Sequence, residues 1–209
     1  MKKIAVSQRL MLNEKYYELR EGLDVRWGRL FSELGFLPIA LPLECNFESY
    51  FENISINGIL LTGGDDLSIF NDNELSHKRD QFELKLVDFG LKHDIPIFGV
   101  CRGMQLIGKY FDCSFKPVEN HIAVEHELKI SGGSDLKLYL DKLEIVNSYH
   151  GFAISSVNGG LLVSAQSDDH VIEAIEHTTH RIFGQMWHCE RSNPFKEKEL
   201  DLISAFFDE

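Results

Sequence analysis

Short apolar runs that each end abruptly at a turn most constrain the fold of this chain. Two of them, Gly58–Leu61 and residues 96–100, are dominated by aliphatic and aromatic side chains and run directly into a Gly-Gly turn and into Cys101. Runs of this length are typical of strands buried on both faces of a parallel sheet. Between them, residues 78–92 repeat apolar side chains every three to four positions, as a crossover helix does. The alternation predicts an α/β fold with a mostly parallel central sheet and helices on both faces.

The other predicted elements extend this pattern over residues 1–209, which we expect to form one domain. The first half adds strands at residues 4–6 and 37–41 and helices at residues 20–34 and 102–111. The second half is richer in strand patterns, which predicts an added, smaller β region before a final helix at residues 196–207. The predicted strands of this half are residues 122–130, 143–146, 161–165, 171–175 and 182–186.

Charge and composition exclude several classes of function. The chain has 21 basic and 33 acidic residues and a net charge of −12, so nucleic-acid phosphates and anionic membranes would be repelled. Only Ile4 to Val6 are consecutive apolar residues near the start, whereas a signal peptide needs roughly 7–15. The four cysteines show no C-x-x-C pairing, which fits free thiols in a reducing compartment. We therefore expect a cytoplasmic protein with neither nucleic acid nor membrane as a partner.

A strand that ends at Cys101, followed at once by a helix, predicts an exposed nucleophile. Gly99 and Gly103 stand two residues on either side of this cysteine and remove the Cβ atoms that would block a sharp reversal. The backbone N–H groups at a helix N-terminus favour the thiolate, which is the reactive form. We interpret Cys101 as a nucleophile rather than as a buried cysteine that only packs.

The base and the anion site come from two other segments. His188 and Glu190 follow a predicted strand and, two residues apart in extended backbone, lie on the same face. The carboxylate of Glu190 would orient the imidazole and stabilise its protonated form. The Gly63-Gly64 turn, together with the backbone N–H of Arg102, offers donors for a tetrahedral oxyanion. A plain turn is the alternative interpretation of the two glycines.

These segments together resemble the class I (triad-type) glutamine amidotransferases, and among them the stand-alone gamma-glutamyl hydrolases. The resemblance covers nearly the whole chain, and the cysteine motif combined with the downstream His-x-Glu is its most specific part. The motifs that carry it are Leu61-Thr62-Gly63-Gly64-Asp65-Asp66, Arg79-Asp80 with Glu83, Gly99-Val100-Cys101-Arg102-Gly103-Met104-Gln105, Val146-Asn147-Ser148-Tyr149-His150, Val171-Ile172-Glu173-Ala174-Ile175-Glu176 and Gly184-Gln185-Met186-Trp187-His188-Cys189-Glu190.

The resemblance implies a flavodoxin-like fold and a hydrolase that forms a cysteine thioester without a cofactor. Cys101 would be the nucleophile, His188 the base and then the acid, and Glu190 its orienting partner. The glutamyl end of the substrate would be held by one side chain and several backbone groups. These are Gln105, the turn at Gly63 and Gly64, and the segment Ser148-Tyr149-His150.

Two positions depart from the family pattern. Cys189 stands where the family usually has proline between the catalytic His and Glu, which should leave the triad intact. After Asn147-Ser148 the family often has two polar residues including Gln, whereas His150-Gly151-Phe152 follows in this chain. The second change leaves the leaving-group side of the substrate open.

A narrower resemblance concerns the leaving group. The chain is similar to hydrolases that release a cytidine diphosphate amidate in capsule phosphoramidate biosynthesis, which implies a small, nucleotide-linked gamma-glutamyl substrate. A diphosphate in so acidic a protein requires local cations, and guanidinium groups suit phosphate. Candidates beside predicted active-site loops are Arg9, Arg26, Arg102 and Arg191, unless they are ordinary surface charges.

Three alternatives remain open at this stage. The chain could be a hydrolase of the gamma-glutamyl-GABA type, a glutaminase subunit that delivers ammonia to a partner synthetase, or a non-enzymatic binding protein that has kept the fold. We expect no metal: His121 and His126, flanked by glutamates, could suggest a metal site, but an alternating polar strand is more typical of a solvated face.

Overall fold

An eight-stranded sheet runs through the computed structural model of the protein, which describes residues 1–208. One half of the sheet is parallel and the other half continues it with antiparallel pairings. The parallel strands are, in spatial order, β4 (Leu37–Ala40), β1 (Lys3–Val6), β5 (Gly58–Leu61), β6 (Ile97–Val100) and β14 (Ile182–Gln185). The antiparallel strands that follow are β13 (Ile172–His177), β12 (Leu161–Gln166) and β9 (Lys129–Ile130).

Helices flank this sheet and complete the predicted α/β architecture. They are α1 (Val25–Leu34), α2 (Glu48–Asn53), α3 (Glu74–Lys92), α4 (Arg102–Tyr110), α5 (Lys137–Leu140) and α6 (Glu197–Asp208). Helix α3 packs with α4, and α1 packs with α6. Buried apolar side chains of α4, such as Leu106 and Ile107, join the aliphatic side chains of β5 and β6 in the main core. Among residues 1–208, no helix combines the length and the apolar character that crossing a bilayer requires.

Three antiparallel strand pairs lie outside the main sheet and form the smaller β region. They are β2 (Arg9–Asn13) with β3 (Glu18–Gly22), β7 (Ser114–Pro117) with β11 (Phe152–Ser156), and β8 (Ile122–Glu127) with β10 (Ile145–Tyr149). The prediction of a mostly parallel sheet with an additional β region is confirmed. The β2–β3 hairpin and the β7–β11 pair, by contrast, were not predicted.

The predicted helix at residues 20–34 is wrong at its start. Residues 18–22 form β3, and the helix begins at Val25. The reason is local: the Asp24 side chain accepts a hydrogen bond from the backbone N–H of Arg26 (2.9 Å), which caps the helix one residue before Val25. Gly22 lies opposite Arg9 in the hairpin and packs against Met11, where a Cβ would be 2.5 Å from the Met11 methyl group.

Candidate active site

Cys101 occupies a strained position between the last residue of β6 and the first residue of α4. Its backbone has φ 52° and ψ −106°, a conformation that a residue with a side chain rarely adopts. Two hydrogen bonds hold it there: its N–H donates to the carbonyl of Gln185 (2.7 Å), and its carbonyl accepts from the N–H of Gln105 (3.1 Å). The side chain of Cys101 is therefore presented at the N-terminus of α4 in one orientation.

The two predicted glycines are necessary for this turn. A Cβ at Gly99 would lie 2.6 Å from the carbonyl carbon of Gly103, and a Cβ at Gly103 would collide with the carbonyl oxygen of Leu61 in β5. Both collisions are with backbone atoms, which cannot move without disturbing the sheet. The absence of side chains lets α4 start directly against the parallel strands, as the motif predicts.

His188 and Glu190 follow β14 and lie beside Cys101. The Nδ1 atom of His188 is 2.7 Å from Oε1 of Glu190, and the imidazole lies next to Cys101. Both side chains are almost fully buried, at 1% and 3% exposure. A 3-10 turn at Cys189–Arg191 brings Glu190 back under the ring. The structure thus brings together the three predicted triad residues.

The charge state of His188 follows from these neighbours. Burial alone would lower its pKa, but the adjacent Cys101 and the hydrogen bond to Glu190 raise the pKa to about 9. The imidazole therefore carries a proton at neutral pH. An imidazolium next to a cysteine stabilises the thiolate, so the pair is prepared for nucleophilic attack.

Asn147 in β10 fixes the backbone of His188. Its side-chain oxygen accepts from the His188 N–H (2.8 Å) and its side-chain nitrogen donates to the His188 carbonyl (2.9 Å). These two bonds connect segments 41 residues apart in the chain. This role of Asn147 could not be predicted from the sequence, because its partners are backbone atoms that leave no pattern of side chains.

The Gly63-Gly64 turn lies directly against the triad. A Cβ at Gly63 would be 2.8 Å from Cε1 of His188, and Gly64 has φ +87°. Arg79 donates to the carbonyls of Thr62 (2.8 Å), Gly63 (3.2 Å) and Gly64 (2.6 Å). In a trans peptide the C=O and N–H point in opposite directions, so Arg79 turns the Gly64 N–H away from itself.

The Arg102 side chain does not reach the substrate surface, contrary to the expectation for the leaving group. It is 1% exposed and forms ion pairs with Asp80 and Glu83 of α3. Arg79 pairs with the other oxygen of Glu83 (2.9 Å), and Lys109 with the other oxygen of Asp80 (2.7 Å). We call these five side chains the α3–α4 ion network. Only the backbone N–H of Arg102 stays available as an oxyanion donor.

The sequence offered a partial signal for this network. Arg79 and Glu83 are four residues apart on one helix, a spacing that pairs opposite charges on the same face. Such pairs are usually solvated, and nothing local indicated that both side chains would be at most 2% exposed. Burial followed from the packing of α3 on α4, which only the tertiary structure shows.

Of the predicted glutamyl-binding side chains, Gln105, Ser148 and His150 are buried, whereas Tyr149 is exposed. Gln105 donates from Nε2 to the carbonyl of Phe152 (2.8 Å), and Ser148 donates from its hydroxyl to the carbonyl of His121 (2.7 Å). His150 is 4% exposed and lies beside His121 and Glu173, on the inner side of the β10–β11 turn. The imidazole of His150, expected among the substrate-binding residues, thus faces His121 and Glu173.

His121 also differs from the sequence prediction. The alternating polar pattern of residues 122–127 indicated a solvated strand, and most of that strand is at least partly exposed. His121 stands just before the strand and is only 1% exposed. The interpretation of His121 as part of a solvated face is wrong, because this residue packs inward against β13 while the strand itself lies on the surface.

Three arginines lie around the rim of the site. Arg9 pairs with Asp65 (2.5 Å) and stands over Gly64, and Arg26 pairs with Asp24 (2.6 Å). The guanidinium of Arg191 lies 4.3 Å from the centre of the Tyr149 ring, and that ring meets the His188 imidazole edge-on. Its nearest carboxylate oxygen, on Glu190, is 3.8 Å away. Of the three, Arg191 has the loosest ion pair.

The comparisons with known proteins agree with this geometry. Residues 5–190 match the Peptidase C26 family. The chain is 39% identical to a gamma-glutamyl-CDP-amidate hydrolase of Campylobacter jejuni, over 91% of this chain and 90% of that protein. It is 29% identical to a gamma-glutamyl-gamma-aminobutyrate hydrolase of Escherichia coli, over 75% and 73%.

A solved structure shares the fold at low sequence identity. A glutamine amidotransferase from Thermotoga maritima superposes with a TM-score of 0.68 at 13% identity, covering 99% of this chain and 84% of that one. This likeness supports the class I glutamine amidotransferase-like architecture predicted from the sequence motifs. The family match over residues 5–190 and the 39% identical relative identify the chain: it belongs to the Peptidase C26 family and is a cysteine-dependent hydrolase.

Proposed function

We propose that the protein hydrolyses a gamma-glutamyl amide bond through a thioester on Cys101, with His188 as acid and base and Glu190 as its orienting carboxylate. The observation that carries the proposal is the strained Cys101 at the start of α4, with a protonated His188 held beside it by Glu190. The relatives named above, which act on gamma-glutamyl compounds, support this substrate class.

In the first half of the reaction, the Cys101 thiolate attacks the side-chain carbonyl carbon of the glutamyl group. The carbonyl oxygen becomes an oxyanion, which the backbone N–H groups of Gly64 and Arg102 stabilise. The tetrahedral intermediate collapses as the C–N bond breaks, and His188 donates its proton to the departing nitrogen. The amine or amidate leaves, and a glutamyl thioester remains on Cys101.

In the second half, water hydrolyses the thioester. Neutral His188 takes a proton from the water as its oxygen attacks the thioester carbonyl, and a second oxyanion forms at the same donors. Collapse of this intermediate breaks the C–S bond and releases glutamate. The thiolate and the imidazolium are then restored, so the cycle consumes only water. Gln105 and the backbone of Ser148 and Tyr149 would bind the amino-acid end of the glutamyl group.

We further propose gamma-glutamyl-CDP-amidate as the substrate, with glutamate and cytidine diphosphoramidate as products in capsule phosphoramidate biosynthesis. Support comes from the 39% identical relative, which is similar over nine-tenths of both chains. Arg191, on the ring of Tyr149 at the rim, is the guanidinium best placed for the diphosphate. The four free cysteines fit a reducing compartment, and we place the activity in the cytoplasm.

Replacement of the nucleophile tests the mechanism. Cys101→Ala should lower kcat by at least about a thousandfold, as removal of a triad nucleophile does elsewhere. Cys113→Ala is a matched control, because both cysteines are 8% exposed and only Cys101 lies beside His188. An electrophilic glutamine analogue should label Cys101 in the wild type. Turnover by Cys101→Ala close to that of the wild type would disprove the proposal, and a folded wild type that is never labelled would favour a binding protein.

The substrate is tested by comparing conjugates on the purified chain. We expect kcat/KM to be higher for gamma-glutamyl-CDP-amidate than for gamma-glutamyl-GABA or glutamine. Arg191→Ala should lower kcat/KM roughly ten- to a hundredfold for the nucleotide conjugate alone, because one charge-assisted contact to phosphate is lost. If Arg191→Ala lowered kcat/KM equally for all substrates, Arg191 would not contact the leaving group. Fast glutamine hydrolysis only with a partner synthetase would favour an ammonia-delivering subunit.

A further inference from the structure

Three buried side chains on the inner side of the β10–β11 turn converge on one point. His121, His150 and Glu173 are 1%, 4% and 0% exposed, and their candidate ligand atoms all lie within 4.8 Å of one another. The Nδ1 atom of His121 is 3.3 Å from Oε1 of Glu173, and Nε2 of His150 is 3.4 Å from the same oxygen. We call these three residues the His-Glu cluster.

None of the converging atoms has a hydrogen-bond partner within the part of the chain that the structure describes. They are Nδ1 of His121, Nε2 of His150 and both carboxylate oxygens of Glu173, and Nε2 of the neighbouring His126 shares this property. Buried polar atoms without partners are rare, because leaving each unsatisfied costs about 1–3 kcal/mol. These atoms therefore indicate a bound ligand that would pair with them.

Contacts on the outer side fix which nitrogen of each histidine faces Glu173. Nε2 of His121 lies 3.0 Å from a carboxylate oxygen of Asp169, which accepts hydrogen bonds, so this nitrogen is the donor. Nδ1 of His150 lies 3.2 Å from the carbonyl of Phe152 and must also donate. In the neutral tautomers, both histidines then direct a lone pair at the Glu173 oxygen.

Direct hydrogen bonds inside the cluster do not explain the spacing. An imidazolium that donates to a carboxylate approaches to about 2.7–2.9 Å, as His188 does to Glu190 at 2.7 Å in this protein. The distances of 3.3 and 3.4 Å in the cluster are longer. Ligand atoms around a tetrahedral Zn²⁺, with bonds of about 2.0–2.1 Å, are separated by about 3.3–3.4 Å.

We propose that His121, His150 and Glu173 bind a divalent transition-metal ion, with Zn²⁺ as the expected occupant. Two neutral imidazoles and a carboxylate are ligands that suit Zn²⁺. Asp169 behind His121 and the Phe152 carbonyl behind His150 supply the outer contacts that orient metal-binding histidines. His126, whose ring centre is 4.2 Å from that of His121, is the nearest additional nitrogen for the fourth position.

The role of this metal would be structural. The three ligands come from the segment before β8, from the turn between β10 and β11, and from β13 of the main sheet. An ion between them would fasten the smaller β region, including Ser148 and Tyr149, to the central sheet. The ligands are too buried to leave an open face for substrate, as is typical of structural zinc sites.

Metal binding to the whole chain tests the proposal. Cys101→Ser is used as the parent, because it removes the thiolate of the other cysteine–histidine pair that could hold zinc. Tag-free protein, stripped with EDTA and dialysed, is titrated with ZnCl₂ and separately with CoCl₂. We expect one equivalent of either ion, the visible absorption bands of tetrahedral Co²⁺, and a rise in Tm of about 5–10 °C at saturating zinc.

Variants then assign the binding to the cluster. Glu173→Gln and His150→Asn should each lose the cobalt bands and the zinc-dependent rise in Tm. The matched control is His177→Asn with His180→Asn, a second histidine pair whose ring centres are 4.9 Å apart near the surface; it should bind as the parent does. His126→Asn reports whether that nitrogen fills the fourth position.

The outcomes decide between a metal and a purely protonic cluster. If the folded parent binds neither ion and its Tm does not respond to zinc, the cluster is a protonated histidine pair neutralised by Glu173 and Asp169, and the proposal is overturned. Binding that survives Glu173→Gln, or that disappears in the His177/His180 control, overturns it as well. The parent alone decides the matter should a cluster variant fail to fold.

Discussion

Two buried polar clusters adjoin the active site, and they satisfy their hydrogen bonds in different ways. The α3–α4 ion network consists of Arg79, Glu83, Arg102, Asp80 and Lys109, whose charged groups pair with one another. Of the buried side-chain N and O atoms of these five described residues, only Nε of Arg102 has no hydrogen-bond partner. In the His-Glu cluster, at least one atom of every member lacks one. A buried polar cluster can thus pair nearly all of its atoms within the protein, or it can leave several atoms that only a bound ion would pair.

The difference matters because the two clusters support different halves of the site. The ion network shapes the Gly63-Gly64 turn through Arg79 and the start of α4 through Arg102. The His-Glu cluster lies behind the segment Ser148-Tyr149, whose Ser148 bonds to the backbone of His121. The donors proposed for the oxyanion therefore rest on residues that pair with one another, whereas the segment proposed to bind the glutamyl group rests on the cluster proposed to hold an ion.

The largest expected effect is a loss of stability when the α3–α4 ion network is broken. Glu83→Gln removes the carboxylate shared by Arg79 and Arg102 and leaves buried positive charge uncompensated, so we expect a loss of about 3–5 kcal/mol in the free energy of unfolding. Urea denaturation monitored by circular dichroism measures it. Glu74→Gln on the same helix, whose carboxylate forms a solvated pair with Lys78, should leave the unfolding midpoint unchanged. Equal midpoints for the two variants would show that the network does not hold α3 on α4.

The second-largest expected effect is on catalysis, and it concerns Asn147, whose side chain makes two hydrogen bonds to the His188 backbone. Asn147→Ala removes both side-chain bonds to the His188 backbone, and a freer imidazole should lower kcat roughly ten- to a hundredfold with little change in KM. Asn57→Ala is the control, since Asn57 also bonds to backbone, at Lys3, but far from the triad. A change confined to KM would contradict a positioning role for Asn147.

A smaller effect is expected in the pH profile. Because the pKa of His188 is raised to about 9, its proton is present below that pH and is lost above it, so kcat/KM should fall as pH rises through about 9. Glu190→Gln removes a charge-assisted hydrogen bond to the imidazolium and should move this alkaline limb down by about one pH unit. Glu176→Gln, a buried carboxylate bonded to Ser134 and Asp135, should leave the limb in place.

The smallest expected effect is the change in stability that Glu173→Gln causes when no metal ion is present. In EDTA at pH 8.5, Glu173→Gln replaces a buried carboxylate whose hydrogen bonds are unmade, so the free energy of unfolding should change by no more than about 1 kcal/mol. The same substitution with zinc present should be clearly destabilising, because the metal site is lost. Urea unfolding in the two buffers gives both values. A large loss in EDTA, comparable with that of Glu83→Gln, would mean that Glu173 has a strong partner within the protein.

Patterns that are local in the chain were sufficient for the core of this site. The apolar runs before Gly63 and before Cys101 predicted parallel strands, and Gly99 and Gly103 predicted the tight turn, because sterics at neighbouring residues decide such features. His188 and Glu190 meet as predicted, but the extended backbone assumed for them is wrong, because a 3-10 turn at Cys189–Arg191 brings the carboxylate to the imidazole. The structure brings these elements together at the edge where β5, β6 and β14 end.

The direction of long side chains was decided only by the tertiary structure. Arg102 was expected to meet the substrate, yet its partners Asp80 and Glu83 are 22 and 19 residues away and turn it inward. His121 was assigned to a solvated face and His150 to the substrate-binding residues, yet the side chains of both face Glu173 from distant segments. Local spacing in the sequence determines where strands, turns and helices begin and end. The burial of a charged side chain depends instead on opposite charges, which only the packing of remote segments supplies.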